Sequence, residues 1–189
     1  EGSAERFRRK YEITQPFILY VGRKDPTKNT DLLVSYFVQY QEAHPGSKLM
    51  LVLAGSGALP PLGRARRDVI DLGFISTQDK YDAYAAALCT CQPSVHESFS
   101  LVIMESWVLG TPALVHGDCG VTREHCVKSN GGLYFTNSAE FAECVDFYLN
   151  DEPLRRRLGA RGREYVLQNY RWETVIQNYR NALEHLCRR

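Results

Sequence analysis

Apolar runs alternate with segments of helical periodicity along most of the chain. The runs are short, end at glycine, proline or polar residues, and fall at residues 17–21, 48–54, 69–72, 88–92, 113–115 and 133–135. Runs of this length are typical of strands buried on both faces of a parallel sheet. Between them, segments such as residues 29–40 repeat apolar side chains every three or four positions, as one face of a helix does. The pattern predicts an α/β, doubly wound, mostly parallel sheet of about six strands with helices on both faces.

After residue 135 the strand pattern does not return. Three helices are predicted there, at residues 137–149, 153–168 and 172–186. Asn137 with Glu140, and likewise Ser76 with Asp79, has the spacing of a helix-capping pair. We predict three segments: a linker or interdomain segment over residues 1–15, the doubly wound domain over 16–171, and a C-terminal helix over 172–189 that packs on this domain.

Composition and charge exclude several function classes. The formal net charge of +1 gives no electrostatic sign of binding to nucleic acid or to an anionic membrane. No apolar run approaches the roughly 20 residues that cross a bilayer, and no charged-then-apolar leader opens the chain. Arginines at positions 155–157, 161 and 163 are expected on a solvated helix face, with membrane contact as the lesser alternative. We therefore expect a cytoplasmic protein, at most peripherally associated with the membrane.

The cysteines do not have the spacing of a metal or redox site. Six are present without any CxxC pair. Reduced, mostly buried thiols are therefore expected. No metal-ligand spacing stands out either, and no metal or other cofactor is predicted.

Charged and glycine residues follow the predicted strands, where ligands of parallel sheets bind. Arg23 and Lys28 come after the first strand and are suited to neutralising a diphosphate, although each could be a solvated surface charge. The turn at Gly73 and Phe74 leaves backbone groups free to meet a base edge. Residues 55–57 match only the start of a dinucleotide-binding fingerprint, and the GxxxxGK[ST] phosphate loop is absent from the sequence.

One carboxylate stands in strongly apolar surroundings. Glu105 is the only ionisable side chain between residues 98 and 115, within a predicted helix over 98–109 that reads as buried on most sides. Such a carboxylate costs several kcal/mol unless it is paired or hydrogen-bonded. A ribose diol would satisfy it without a cationic partner; an arginine or backbone amides are the alternatives. The first amides of the helix form a predicted anion site at Ser98, Phe99, Ser100 and Leu101.

Together these residues resemble a known family. Residues 93–105, with Glu97 and Glu105 eight positions apart, look like the E-x7-E motif of retaining GT-B glycosyltransferases, the glycosyl transferases group 1. The pair Gly22-Arg23 with Lys28 is similar to the phosphate element of that family, and the glycine turns at 55–57, 73 and 110 fall in the expected order. The resemblance runs over residues 17–135. It implies the Rossmann-like, carboxy-terminal, donor-binding half of such an enzyme.

The resemblance also implies roles for the motif residues. Arg23, Lys28 and the amides of residues 98–101 would hold the donor diphosphate, Glu105 the ribose, and Glu97, as the catalytic residue, the hydroxyls of the transferred sugar. Further candidate contacts are Gly22, Gly55, His96 and Arg123. The implied reaction is metal-independent transfer of a hexose, with retention, from a nucleoside-diphosphate sugar to a polysaccharide, glycolipid or other glycoconjugate. His96 and His116 are also consistent with ordinary loop histidines.

Two departures from the family pattern bear on the donor and on the fold. Ser98 and Ser100 stand where the family often has glycines beside the phenylalanine, so their side chains could crowd the sugar or donate to it. Residues 118–124 are predicted as a loop that is only loosely like the family's glycine-rich loop.

The resemblance also implies a second domain, and two other functions remain as alternatives. An N-terminal acceptor domain is expected outside this chain, so the isolated chain should bind donor weakly and transfer no sugar alone. The alternatives are half of a nucleotide-sugar epimerase and a non-catalytic nucleotide-binding module.

Overall fold

A six-stranded parallel sheet forms the centre of the protein. The computed structural model describes residues 1–187. The strands follow the spatial order β3-β2-β1-β4-β5-β6, and every neighbouring pair is parallel. Their bounds are β1 Phe17–Val21, β2 Met50–Ala54, β3 Val69–Asp71, β4 Cys89–Gln92, β5 Ala113–His116 and β6 Gly132–Phe135. The predicted doubly wound α/β fold is confirmed.

Helices connect and cover the strands. They are α1 Ala4–Tyr11, α2 Thr30–Ala43, α3 Pro61–Arg64, α4 Thr77–Ala86, α5 Leu101–Val108, α6 Gly120–Ser129, α7 Ser138–Asn150, α8 Glu152–Asn169 and α9 Trp172–Cys187, with a short 3-10 helix at Pro26–Lys28. Ser76 and Asn137 cap α4 and α7 as predicted, since each side chain accepts from the amide three residues on.

The alternation of side chains along each strand divides the core into two layers. On one face, residues such as Ile18, Leu51 and Cys91 pack under α2 and α7. On the other face, Phe17 and its neighbours pack under α1 and α4, and the residues of β5 pack under α5 and α8. Because both faces are covered, most strand residues are apolar, which is why the strands read as apolar runs in the sequence.

Two predicted boundaries are wrong by several residues. The motif helix begins at Leu101, not at residue 98, and its side chains at Leu101 and Val108 are exposed, so it is less buried than its sequence indicates. Residues 118–124, predicted as a loop, contain the start of α6, which begins at Gly120. Its first turn is short of apolar residues, so the helical period was not visible there.

The first fifteen residues are part of the domain, which corrects the prediction of a linker. In α1, Phe7 is fully buried against Phe17 and Tyr11. Arg6 forms a forked pair with Asp82 of α4 at 2.5 and 2.6 Å. This hydrogen bonding lowers the pKa of Asp82 to about 2. The sequence of α1 is highly charged and therefore resembles a linker. The residues that hold it in place lie far away in the sequence, on β1 and α4.

The C-terminal helix forms but does not bury its apolar face, which corrects the prediction that it packs on the domain. None of the residues of α9 up to Cys187 is buried, and large side chains stay exposed at Trp172, Ile176, Tyr179, Leu183 and Leu186. The last two residues of the predicted segment, 188–189, lie outside the described residues.

The described cysteines are all free thiols. Five cysteines are buried and unpaired, and Cys187 is exposed. Within residues 1–187, no helix is long and apolar enough to cross a membrane. The same part of the chain contains no group of three or more His, Cys, Asp or Glu side chains that could hold a metal ion.

Candidate donor-binding site

The sheet has a switch point between β1 and β4, where crossovers leave in opposite directions and where ligands of parallel sheets bind at the carboxyl ends of the strands. Two loops line it, residues 22–29 after β1 and residues 93–100 after β4. The Asn29 side-chain amide donates to the Pro93 carbonyl at 3.2 Å, and the Ser94 hydroxyl donates to the Thr27 carbonyl at 3.3 Å. The two loops are therefore held together as one rim.

Glu97 and Lys28 meet on this rim. Lys28 Nζ lies 2.7 Å from Glu97 Oε1, and Gln92 Nε2 donates to the same oxygen at 2.8 Å. The Glu97 side chain is only 9% exposed, so this ion pair is shielded from solvent far better than most surface pairs. Two residues predicted at the site from separate strands are thus in direct contact.

Glu105 has partners that the sequence interpretation did not name. It lies one turn into α5, beside α4, where Lys80 Nζ is 2.7 Å from its Oε1 and the Tyr84 hydroxyl donates to its Oε2 at 2.9 Å. Of the partners that the sequence left open, the structure therefore shows a cation, but it is a lysine and not an arginine, with a tyrosine beside it. Burial, together with the neighbouring carboxylate, raises the pKa of Tyr84, which keeps this phenol a donor. The Glu105 side chain remains 28% exposed and can accept further hydrogen bonds.

Arg23 is the exposed cation of the rim. Its guanidinium is 3.5 Å from Asp25, and its carbonyl accepts from the Tyr20 hydroxyl at 2.6 Å. Beside it the β1 and β2 exits touch: a Cβ on Gly55 would lie 2.0 Å from the Gly22 carbonyl oxygen. Gly55 also has a φ of +133°, so both contact and conformation require glycine there.

A buried lysine braces the next loop. The Lys24 side chain is 0% exposed; its ammonium donates to the Gly55 carbonyl and lies 3.0 Å from Asp71. Asp71 in turn accepts from the Gly73 amide at 2.9 Å. Phe74 follows with its ring exposed. The Lys24–Asp71 ion pair therefore holds the predicted base-binding turn from the inside, and Phe74 leaves the outer side of the turn exposed.

The start of α5 carries the predicted phosphate-binding amides. Ser98 and Leu101 are exposed, while Ser100 is buried with a φ of +67°. Its hydroxyl is buried without a hydrogen-bond partner in the part of the chain that the structure describes. Phe99 anchors this segment, since its ring packs edge-on against His125 at 5.3 Å and Tyr170 at 5.1 Å.

Three other candidates are not brought into this constellation. His96 is exposed and contributes its carbonyl to Ser94, while His116 is buried against Phe135 at the end of β5. Arg123 lies 5.0 Å above the Tyr134 ring of β6, two strands away from β4. Its predicted phosphate contact therefore has no support from the packing.

Sequence reasoning missed four side chains of this region: Lys24, Lys80, Tyr84 and Gln92. One signal was present. Lys80 and Tyr84 are four residues apart on a predicted helix and so share a face, where a lysine and a tyrosine could meet a carboxylate. The other two look like a surface lysine and an ordinary strand residue, and only the fold shows that they are buried.

The comparison with protein families agrees with this geometry. A family model described as glycosyl transferases group 1 matches residues 3–165. The chain belongs to this family. The match includes α1, both glutamates and most of α8. The residues that resemble the group 1 motif lie within this match.

Relatives and solved structures carry the same family name or fold. An uncharacterized glycosyltransferase of Methanocaldococcus jannaschii is 28% identical over 96% of this chain and 50% of its own length. D-inositol 3-phosphate glycosyltransferase of Kribbella flavida is 30% identical over 90% of this chain and 44% of its own length. HepE of Anabaena, solved in complex with UDP-glucose, superimposes with a TM-score of 0.79 at 17% identity, over 96% of this chain and 52% of HepE. The fold is that of GT-B glycosyltransferases, and the chain spans about half the length of the relatives it matches.

Proposed function

We propose that the chain is the donor-binding half of a retaining, metal-independent glycosyltransferase. Its donor would be a nucleoside-diphosphate sugar, from which a hexose passes to a polysaccharide, glycolipid or other glycoconjugate. The single observation that carries this proposal is the contact of Lys28 with Glu97 at the switch point, 2.7 Å apart. It puts a cation for phosphate beside a carboxylate for sugar hydroxyls.

In this proposal, different residues of the rim bind different parts of the donor. Arg23 and Lys28 would neutralise the diphosphate, and the amides at the start of α5 would donate to it. Glu105 would accept from the ribose hydroxyls and Gly73 and Phe74 would border the base. That UDP-glucose is the ligand of HepE, which has the same fold, is in keeping with this order.

The proposed chemistry rests on stabilising a leaving diphosphate. As the bond from the anomeric carbon to the phosphate oxygen breaks, negative charge grows on the diphosphate, next to Arg23 and Lys28. Fixed positive groups aimed at developing charge lower the barrier most where water is excluded. In this proposal these cations and the α5 amides supply that charge, so transfer should persist in the presence of EDTA.

We further propose that the acceptor binds to a second domain outside this chain. The chain spans about half the length of its relatives, which supports this division. The isolated chain would then bind donor weakly without transferring sugar. The whole enzyme would act in the cytoplasm, with at most peripheral contact to a membrane that carries its acceptor.

Calorimetric titration with UDP, GDP and ADP tests the donor site. We expect one of them to bind, and Arg23→Ala to weaken it about tenfold because one charged hydrogen-bond donor to phosphate is lost. Arg156→Ala is the matched control, since Arg156 is also largely exposed and pairs with Glu152 on α8. No binding of any diphosphate, or equal binding by both variants, would contradict the proposal.

Product analysis separates the competing enzyme class. When the longer protein is given a panel of nucleoside-diphosphate sugars, an epimerase would release product without an acceptor, whereas a transferase would need one. A non-catalytic module would bind the diphosphate without preferring the sugar-bearing form. We expect acceptor-dependent product, detected by mass.

A further inference from the structure

Gln92 is an unusual residue for its position. It is the last residue of β4, a central strand next to the switch point, and it is 3% exposed. Its Nε2 donates to Glu97 Oε1 at 2.8 Å. Its Oε1 is buried and has no hydrogen-bond partner among the described residues.

Packing does not explain this amide. A buried polar atom without a partner costs free energy, and an apolar side chain of the same size would avoid that cost. The only side-chain hydrogen bond described for Gln92 is the one to Glu97. The amide is therefore explained by what it does for this carboxylate.

The two donors to Glu97 share one of its oxygens. Lys28 Nζ and Gln92 Nε2 both contact Oε1, at 2.7 and 2.8 Å. Among residues 1–187, none of the described hydrogen bonds ends on Oε2, which is also not one of the buried unpartnered atoms. Oε2 is thus left to accept from a hydroxyl.

We propose that Gln92 is a positioning residue that keeps Glu97 turned with Oε2 toward the sugar of the donor. This inference rests on the proposed function. Lys28 is long, partly exposed and needed by the diphosphate, so it can leave Glu97 when donor binds. Gln92 is fixed in the sheet and uncharged. It continues to hold the carboxylate by Oε1 without competing for the phosphate.

The test compares two ligands, the nucleoside diphosphate and its sugar-bearing form. For Gln92→Met we expect the ratio of their affinities to fall about tenfold, the loss expected when a hydrogen bond to a charged group is removed. Affinity for the nucleoside diphosphate alone should change less than about twofold. In a Glu97→Gln background, Gln92→Met should leave the ratio unchanged, because the residue acts through Glu97.

Gln41 provides the matched control. It is a second buried glutamine with an unpartnered Oε1, but it lies on α2 and donates to Leu49 and Asp68. Gln41→Met should alter the thermal unfolding midpoint without changing the affinity ratio. If Gln92→Met fails to fold, Gln92→Asn carries the same expectation, since its amide is one methylene too short to reach Glu97.

The outcomes separate this inference from the proposed function. A wild-type protein that binds no nucleoside diphosphate, or does not prefer the sugar-bearing form, would overturn both. A wild-type preference that survives unchanged in Gln92→Met, or an equal loss for both ligands, would overturn the role of Gln92 alone. A fall in the ratio that disappears in the Glu97→Gln background supports it.

Discussion

Glu97 and Glu105 belong to one sequence motif but are held in different ways. Each has a lysine Nζ at 2.7 Å and a second donor within 2.9 Å. At Glu97 both donors use Oε1, whereas at Glu105 Lys80 takes Oε1 and Tyr84 takes Oε2. Glu97 is also better buried, at 9% against 28% exposure.

This difference in hydrogen bonding suits the two glutamates to different contacts, which the sequence motif alone does not show. A carboxylate gripped by one oxygen has a defined orientation and one oxygen left to offer. A carboxylate gripped by both is fixed more firmly, but it must share its lone pairs with any ligand that it receives. Glu97 is thus suited to a single directed contact, and Glu105 to two shared ones, as a ribose diol would make.

The largest expected effect is at Lys24, which supports the loop before α4. Lys80 and Tyr84 of α4 contact Glu105. Lys24→Met should lower the free energy of unfolding by about 2–3 kcal/mol, because the Gly55 carbonyl and Asp71 lose a buried charged donor. Urea denaturation measures this. Lys10→Met is the control: Lys10 also pairs with an aspartate, at 2.7 Å, but is exposed, so its loss should destabilise the protein far less. Equal losses would mean that burial of Lys24 contributes nothing.

The different contacts of Glu97 and Glu105 predict different losses of affinity for the nucleoside diphosphate. Glu105→Ala should weaken it about 10- to 100-fold, since one or two hydrogen bonds to a carboxylate are lost, whereas Glu97→Ala should change it less than about twofold. Isothermal titration with the diphosphate that binds best gives both values. If the two variants lose affinity equally, the division between sugar contact and ribose contact is wrong.

Ser100 lies between the two glutamates and offers a smaller effect. Ser100→Gly should raise the free energy of unfolding by about 1 kcal/mol, because it removes a side chain from a backbone with φ of +67° and deletes an unpartnered buried hydroxyl. Thermal and urea unfolding report the change, and donor titration shows whether the hydroxyl contributes to sugar preference. A loss of stability would show that the hydroxyl has a partner in solution.

The smallest expected effect is at Lys80. Lys80→Met should change the free energy of unfolding by less than about 1 kcal/mol, because both it and Glu105 are about a quarter exposed and water screens the pair. Lys28→Met should cost more, since Glu97 is better buried. Measuring both variants at low and at high salt sharpens the contrast: only the Lys80 pair should weaken strongly with salt. The reverse order would contradict the difference in burial.

The sequence predicted the parts of the fold that depend on local pattern. Six strands buried on both faces appear as apolar runs, and the capping residues Ser76 and Asn137 mark their helices directly. The placement of Lys28 and Glu97 at one edge of the sheet also followed, because parallel strands bring their carboxyl ends together, whereas the ion pair between them was not predicted.

What escaped prediction depends on distant partners. The helix α1 is held by Asp82, 76 residues away from Arg6, so its charges look like those of a linker. The pairing of Lys80 with Glu105 needs α4 and α5 side by side, and burial of Lys24 needs three strand exits to converge. The α9 helix shows the opposite error, since it was predicted to pack on the domain, whereas its large apolar side chains up to residue 187 stay exposed.

The distribution of thiols makes this protein suitable for single-point labelling without engineering. Five sulfur atoms lie in the core, where a reagent in solution does not reach them. Burial also raises the pKa of the Cys126 thiol to about 12 and that of the Cys144 thiol to about 11, so these two stay protonated. Cys187 alone among the six is exposed, at the end of α9. A maleimide fluorophore added under native conditions should couple there, and its emission would report on the surroundings of α9 while the sheet stays chemically intact.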